Sequence, residues 1–338
     1  MLNERRGELR RAARRLSRWC GAVAMLGLIV GDLRAEPVWK FFRGMCDASA
    51  LEMLDEDLFV AANDEDNVLR VYSRSREGFA VQTVDFSSHY RLAKKKQEID
   101  FEGAARIGNR IYWISSHGAN AKGKFQPSRH RLFATDVIST NGAPKLVPVG
   151  RIYSNLLRDL AMDPRFTEFQ FIRASQRAPK AEGGLNIEGL AATPQGHLLI
   201  GFRNPIPDGK ALIIPLLNPH EVVEGRKGLF GAAIRVELKG MGIRSITPFD
   251  ESYLIVAGSH ESEGVSQLYV WNGKSEGATL LSPRGLAGNP EGLAVLNESG
   301  KRKLFVVSDD GTETIAGRDC KKLKDPALKV FRGYELDL

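Results

Sequence analysis

With three cysteines in 338 residues and no glycine loop of the phosphate-binding or dinucleotide type, the sequence lacks the local signatures of nucleotide-dependent chemistry. None of the cysteines has metal-ligand spacing, which argues against a thiolate metal centre. Beyond residue 45 there is no transmembrane run, long low-complexity tract or interdomain linker. Aromatic residues make up only 8%. What is present is 34 glycines and an apolar fraction of 43%, which suit a strand-and-turn protein with a packed core and exclude wholesale disorder.

The net charge of +7 suggests a nucleic-acid or acidic-membrane partner until its position is examined. Residues 1–35 carry eight arginines against Glu4, Glu8 and Asp32, so the remainder holds 40 basic and 38 acidic side chains and is nearly neutral. Nucleic acid is therefore not an expected partner. The same segment has a basic start, an apolar run from Cys20 to Gly31, and Leu33-Arg34-Ala35 ahead of Glu36-Pro37. That is the layout of a secretory signal cleaved after Ala35. An uncleaved anchor helix is the alternative, but the run falls short of the roughly 20 residues that cross a bilayer. The expected product is a periplasmic or secreted monomer, residues 36–338, with no membrane span.

Cleavage leaves Cys46 and Cys320, an even pair in an oxidising compartment and hence a disulfide candidate. Two buried, unpaired thiols are the alternative. A bond closing about 270 residues would pin the first repeat to the last and stabilise by roughly 4–5 kcal/mol in the chain-entropy model.

An internal repeat governs the architecture. Asp100-Phe101-Glu102-Gly103, Asn186-Ile187-Glu188-Gly189 and Asn289-Pro290-Glu291-Gly292 each open an apolar strand. A second strand follows each and ends in polar residues, at His117, at Arg203-Asn204 and at Asp309-Asp310. Units start near residues 46, 100, 186, 242 and 289, and each reads as short apolar runs divided by turns. The expected fold is all-β, a single β-propeller of five blades with six as the alternative. The long third interval is explained by residues 154–185, where Leu156, Leu157, Leu160 and Ala161 have helical spacing ahead of the basic Arg173, Arg177 and Lys180. This is a helical or irregular insertion, or else a degenerate sixth blade. The fifth unit is one strand short, and Val38–Arg43 can supply it by closing the ring.

In a propeller the entry to each innermost strand and the turn after the second strand share one face. Asp47, Asp100, Glu102, Asn186, Glu188, Asn289 and Glu291 therefore converge with Asp64, His117, Arg203, His260, Asp309 and Asp310 at one mouth of the channel. Carboxylates so gathered repel unless a cation or basic side chains compensate them. Oxygen ligands suit Ca²⁺ first, with Mg²⁺ or Mn²⁺ as alternatives. Glu102, Glu188, Glu291, Asp309 and Asp310 are the candidate metal ligands; His117 and His260 are candidate proton carriers, and Arg203 a candidate anion holder. The competing reading is that the repeated glutamates bond neighbouring backbone and organise the channel. Lys94-Lys95-Lys96 and the basic insertion at 122–131 read as solvated loops.

These openings, with Tyr112-Trp113-Ile114-Ser115-Ser116-His117-Gly118 and Val307-Ser308-Asp309-Asp310-Gly311, resemble the bacterial "domain of unknown function 3616" family over roughly residues 45–338. More distantly, the Glu-Gly-Leu-Ala openings are similar to those of phytase-like (esterase-like) and lactonase-type propellers. That resemblance implies a divalent metal at the channel mouth and hydrolysis of phosphoesters or lactones. It falls on Glu102, Glu188 and Glu291, with Asp309 or Asp310. The fourth unit departs from it, placing Arg244 where a carboxylate belongs. Two functions stay open: a cation-dependent hydrolase of a small anionic substrate, and a non-catalytic envelope propeller that binds a protein, peptide or glycan.

Overall fold

The runs of alternating apolar residues form five sheets, antiparallel apart from the short strand Gly78–Phe79 that pairs parallel with Lys40–Arg43, arranged as a five-bladed β-propeller in a computed structural model that describes residues 36–89, 97–140, 143–261 and 264–338. The leader at 1–35 and Lys94-Lys95-Lys96 lie outside the described residues.

From the axis outwards, blade I consists of Ala48–Met53, Leu58–Asn63, Val68–Ser73 and Gln82–Asp85. Blade II consists of Phe101–Ile107, Arg110–Ser115, Leu132–Thr140 and Ala143–Tyr153. Blade III is built from Asn186–Ala192, Leu198–Asn204, Ala211–Leu216 and Ile234–Val236, and blade IV from Gly242–Phe249, Ser252–Gly258, Gln267–Trp271 and Ala278–Leu280. Blade V takes Pro290–Glu298, Lys301–Ser308 and Val330–Asp337 from the end of the chain and Lys40–Arg43 from its start. Lys40–Arg43 pairs antiparallel with Val330–Asp337, so the missing strand is the N-terminal one and the ring is closed by main-chain hydrogen bonds. The innermost strands pack side by side around the axis.

Five apolar cores fill the wedges between successive blades. The disulfide Cys46–Cys320 lies across the same closure, with its Cα atoms 5.9 Å apart. Residues 154–185 are an insertion rather than a sixth blade: helices Leu156–Ala161 and Phe171–Ala174 flank a 3₁₀ segment, Pro164–Phe169. Its apolar stripe, including Leu156, Leu160, Phe166 and Phe171, joins the core between blades II and III. No described helix is long and apolar enough to cross a membrane.

Candidate cation site at the channel mouth

Every innermost strand leaves a residue out of its pairing register near its start, and blade III has a second shift between Asn186 and Ile187. The unpaired residue is Ser49 in blade I, Glu102 in blade II, Glu188 in blade III, Arg244 in blade IV and Glu291 in blade V. Bulges of this kind leave one residue outside the ladder and re-aim its side chain. The repeated Asp/Asn-x-Glu-Gly motif is thus the sequence of a conserved geometry within this one chain: an entry residue, a bulge, and a glycine. The glycine is required by close approach, since a Cβ on Gly189 would lie 2.8 Å from Ile243 Cγ2 and one on Gly292 would lie 2.9 Å from Leu51 Cβ of the next blade. Below the ring the channel has room for little more than one water molecule among Glu52, Glu102, Glu188 and Glu291.

The two halves of this mouth differ in how they handle charge. On the side of blades III to V, arginines occupy the glutamates. Arg203 Nη1 donates to Glu188 Oε1 at 2.7 Å, and Asn186 Nδ2 reaches the same oxygen at 2.7 Å. Arg244, only 1% exposed, donates from Nη2 to Glu291 Oε1 and holds Nε 3.9 Å from Glu188 Oε2. Burial disfavours the Arg244 charge, but Glu291 and Glu188 outweigh it and raise its pKa. Burial still pushes the Glu291 carboxyl up to about 8, against the pull of Arg244.

On the side of blades V and I, acids gather with little compensation. Asp47, Asp64 and Glu65 each bring a carboxylate oxygen within 4.8 Å of the others. Asp309 joins them through the bridge between Asp47 and Asp309, and Asn289 Nδ2 donates to Asp309 Oδ2 at 3.1 Å. Asp47 is 2% exposed, and no hydrogen bond reaches its carboxylate among the described residues. Asp64 Oδ1 is buried without a partner among them. Burial, then Glu65, pushes Asp47 up to about 7; burial, then Asp47, does the same to Asp309. Asp64 is driven well above the carboxylate range by burial and by Asp309 and Asp47. Lys321 is the nearby cation, its Nζ 3.0 Å from Glu65 Oε1.

The remaining expected residues are placed as follows. Asp100 accepts from Ser116 Oγ and pairs with Arg129 Nη1 at 3.0 Å; burial nonetheless raises it to about 6. Glu102 is half-buried and driven well up by burial and by Glu188. Asp310 points to the blade V edge, where it accepts from Arg332 N and Nε at 2.8 Å and from Arg332 Nη2 at 2.7 Å. His117 is fully buried, in the left-handed region at φ +54°, with Nδ1–H donating to Ser115 O at 2.8 Å. Its ring packs on His130 at 5.4 Å, and burial holds it neutral, down to about 3. His260 stands on the blade IV turn beside Ser259, whose carbonyl accepts from Arg203 Nε at 2.9 Å.

Sequence reasoning passed over Glu65, Arg129 and Lys321. Arg129 was expected in a solvated loop, but it folds back onto Asp100 and Glu98. Lys321 had a signal: it follows Cys320, and a bond from Cys320 to Cys46 must bring it beside Asp47.

Comparison with curated proteins finds no match to this sequence. Among solved structures, Myxococcus xanthus glutaminyl cyclase is similar at 12% identity and a TM-score of 0.43, covering 90% of this chain and 97% of its own. A mutant of Trypanosoma rangeli sialidase displaying trans-sialidase activity is similar at 12% identity and a TM-score of 0.43, covering 81% of this chain and 44% of its own. The model of a protein family of unknown function, DUF3616, matches residues 47–140 and 139–323, and the chain belongs to that family.

Proposed function

We propose that this is a periplasmic or secreted propeller that binds one divalent cation at Asp47, Asp64 and Glu65, calcium before magnesium or manganese, and hydrolyses a small anionic phosphoester or lactone at the channel mouth. The observation that carries the reading is the acidic half of the mouth: a buried Asp47 whose carboxylate accepts no hydrogen bond among the described residues, with two further carboxylates within 4.8 Å. Carboxylates held this way are high in energy when ionised, and a hard cation relieves them. The cation would supply Lewis-acid polarisation of an ester oxygen and activation of water. Asp47, Asp64 and Glu65 would hold it, with Asp309 setting the local charge. Lys321 neutralises Glu65 in the cation's absence and is placed to meet an anionic substrate in its presence. His260, half-buried on the blade IV turn, is the histidine assigned to proton transfer in this reading.

A second reading rests on the other half of the mouth. Glu188 and Glu291 each already accept from an arginine through Oε1, Arg203 and Arg244 respectively, and a non-catalytic envelope propeller binding a protein, peptide or glycan needs no cation there. Hydrolysis of 4-nitrophenyl phosphate and of a γ-lactone, measured in chelator and then with Ca²⁺, Mg²⁺ or Mn²⁺, decides between them. Turnover that needs the cation and is lost in Asp64→Asn supports the hydrolase. Cation binding without turnover of either ester class leaves the binding propeller.

A further inference from the structure

A pocket distinct from the mouth residues lies where the insertion at 154–185 meets the blade III turn. The two are stapled together by Asn204, whose Nδ2 donates to Pro179 O and Ala181 O, each at 2.8 Å. The pocket between them is about 370 Å³, within the size range of small-molecule sites. Phe169, Ala174, Pro205 and Ile206 contribute apolar lining, and Arg173 and Arg177 line it as well.

Arg173 belongs to the short helix Phe171–Ala174 and Arg177 to the turn that follows it, and both line this pocket. Neither has an acidic partner among the described residues. The Arg173 side chain bonds Gln170 Oε1 at 3.3 Å, and the Arg177 side chain bonds the Glu182 carbonyl at 3.0 Å. Of the two acids at the rim, Glu168 is taken by Arg235 at 2.7 Å, and Glu182 contacts Arg177 only through its backbone. Two guanidinium groups thus share a pocket with apolar side chains, each with one hydrogen bond given above and no acidic partner among the described residues.

We propose that this pocket binds a carboxylate carried on an apolar body, such as an aromatic or branched aliphatic acid or a hydrophobic C-terminal residue. A planar carboxylate matches the paired N–H donors of a guanidinium, and the body would cover Phe169, Ala174 and Ile206. The site is separate from the cation cluster in its residues and its chemistry.

The test uses residues 36–338 with 4-fluorobenzoate as probe, followed by ¹⁹F NMR line broadening, and neutral 4-fluorobenzyl alcohol as isostere. The expected result is saturable benzoate binding, weakened about tenfold or more for the alcohol and for Arg173→Gln/Arg177→Gln, each tenfold loss corresponding to about 1.4 kcal/mol. Lys180→Gln, a nearby cation outside the pocket, should leave binding unchanged. Ile206→Asp, which puts a like charge in the apolar lining, should abolish it. The proposal is overturned if the alcohol binds as well as the benzoate, if the double variant binds like wild type, or if Lys180→Gln weakens binding as much as the double variant. Because both arginines are exposed, an unchanged thermal midpoint in each variant separates loss of the site from loss of the fold.

Discussion

Arg244→Met tests the ring of bulged residues most sharply, because methionine keeps much of the length of the side chain and removes only its charge and donors. Arg244 is 1% exposed and touches both Glu291 and Glu188. Removing one partner of a buried ion pair costs about 3–5 kcal/mol, since the other charge is left without compensation. Glu188 keeps Arg203 and Asn186, so the penalty falls mainly on Glu291 and the lower end, about 3 kcal/mol, is expected. With an unfolding entropy of about 2.1 cal/mol/K per residue over some 300 residues, this is a fall in Tm of roughly 5 °C. The uncompensated carboxylate escapes part of the penalty by taking up a proton, so the deficit should be larger at pH 8 than at pH 5. The assay is thermal denaturation by circular dichroism in chelator, for wild type, Arg244→Met, Glu291→Gln and the double variant. Adding Glu291→Gln should recover a good part of the loss. A single variant within about 2 °C of wild type at pH 8, or a double variant no better than the single, refutes the reasoning.

Stability without cations should depend on pH in a definite sense. Asp47 and Asp309 are raised to about 7 and Glu291 to about 8, so the folded state takes up protons. The associated stability is fully present below the ordinary carboxylate range, near pH 4, and is lost as pH rises through 7 to 8. Tm in chelator should fall from pH 5 to pH 8, and calcium should flatten the profile; a flat profile in chelator contradicts this. Cys46→Ser/Cys320→Ser should lower stability by about 2–5 kcal/mol and also weaken cation discrimination, because it frees Lys321 from its place over Glu65. Denaturant titration measures the first effect and cation titration the second. Gly311→Ala should cost cation affinity, since its Cβ would land 1.7 Å from Asp47 Oδ1 and drive that carboxylate aside. A normal calcium isotherm for this variant would show that Asp47 takes no part.

The architecture was legible because one physical pattern recurs. A bulge reappears near the start of every inner strand, and three of the five blades spell it out as Glu-Gly, while blades I and IV carry Ser49-Ala50 and Arg244-Ser245 there. The closing strand was legible by deficit, since blade V runs out of chain one strand early. Arg244 was visible as the break in the pattern, and the structure shows its use as the counter-charge to Glu291 and Glu188. The grouping at the mouth was harder to see. Glu65 and Lys321 come from a turn and a 3₁₀ segment with no repeat to mark them, and they meet only through the disulfide between residues 274 positions apart. His117 shows the opposite case: it follows the second strand of blade II as Arg203-Asn204 closes that of blade III, but the insertion at 118–131 covers it and packs it on His130.

Calcium titration of residues 36–338 by isothermal calorimetry, beside Asp47→Asn/Asp64→Asn and Glu188→Gln, tests the cation site most directly. The account predicts one ion per wild-type chain, no binding in the aspartate double variant, and binding retained in Glu188→Gln, whose carboxylate belongs to Arg203. Absence of binding by the wild type to calcium, magnesium and manganese alike, or binding that survives loss of both aspartates, would contradict it.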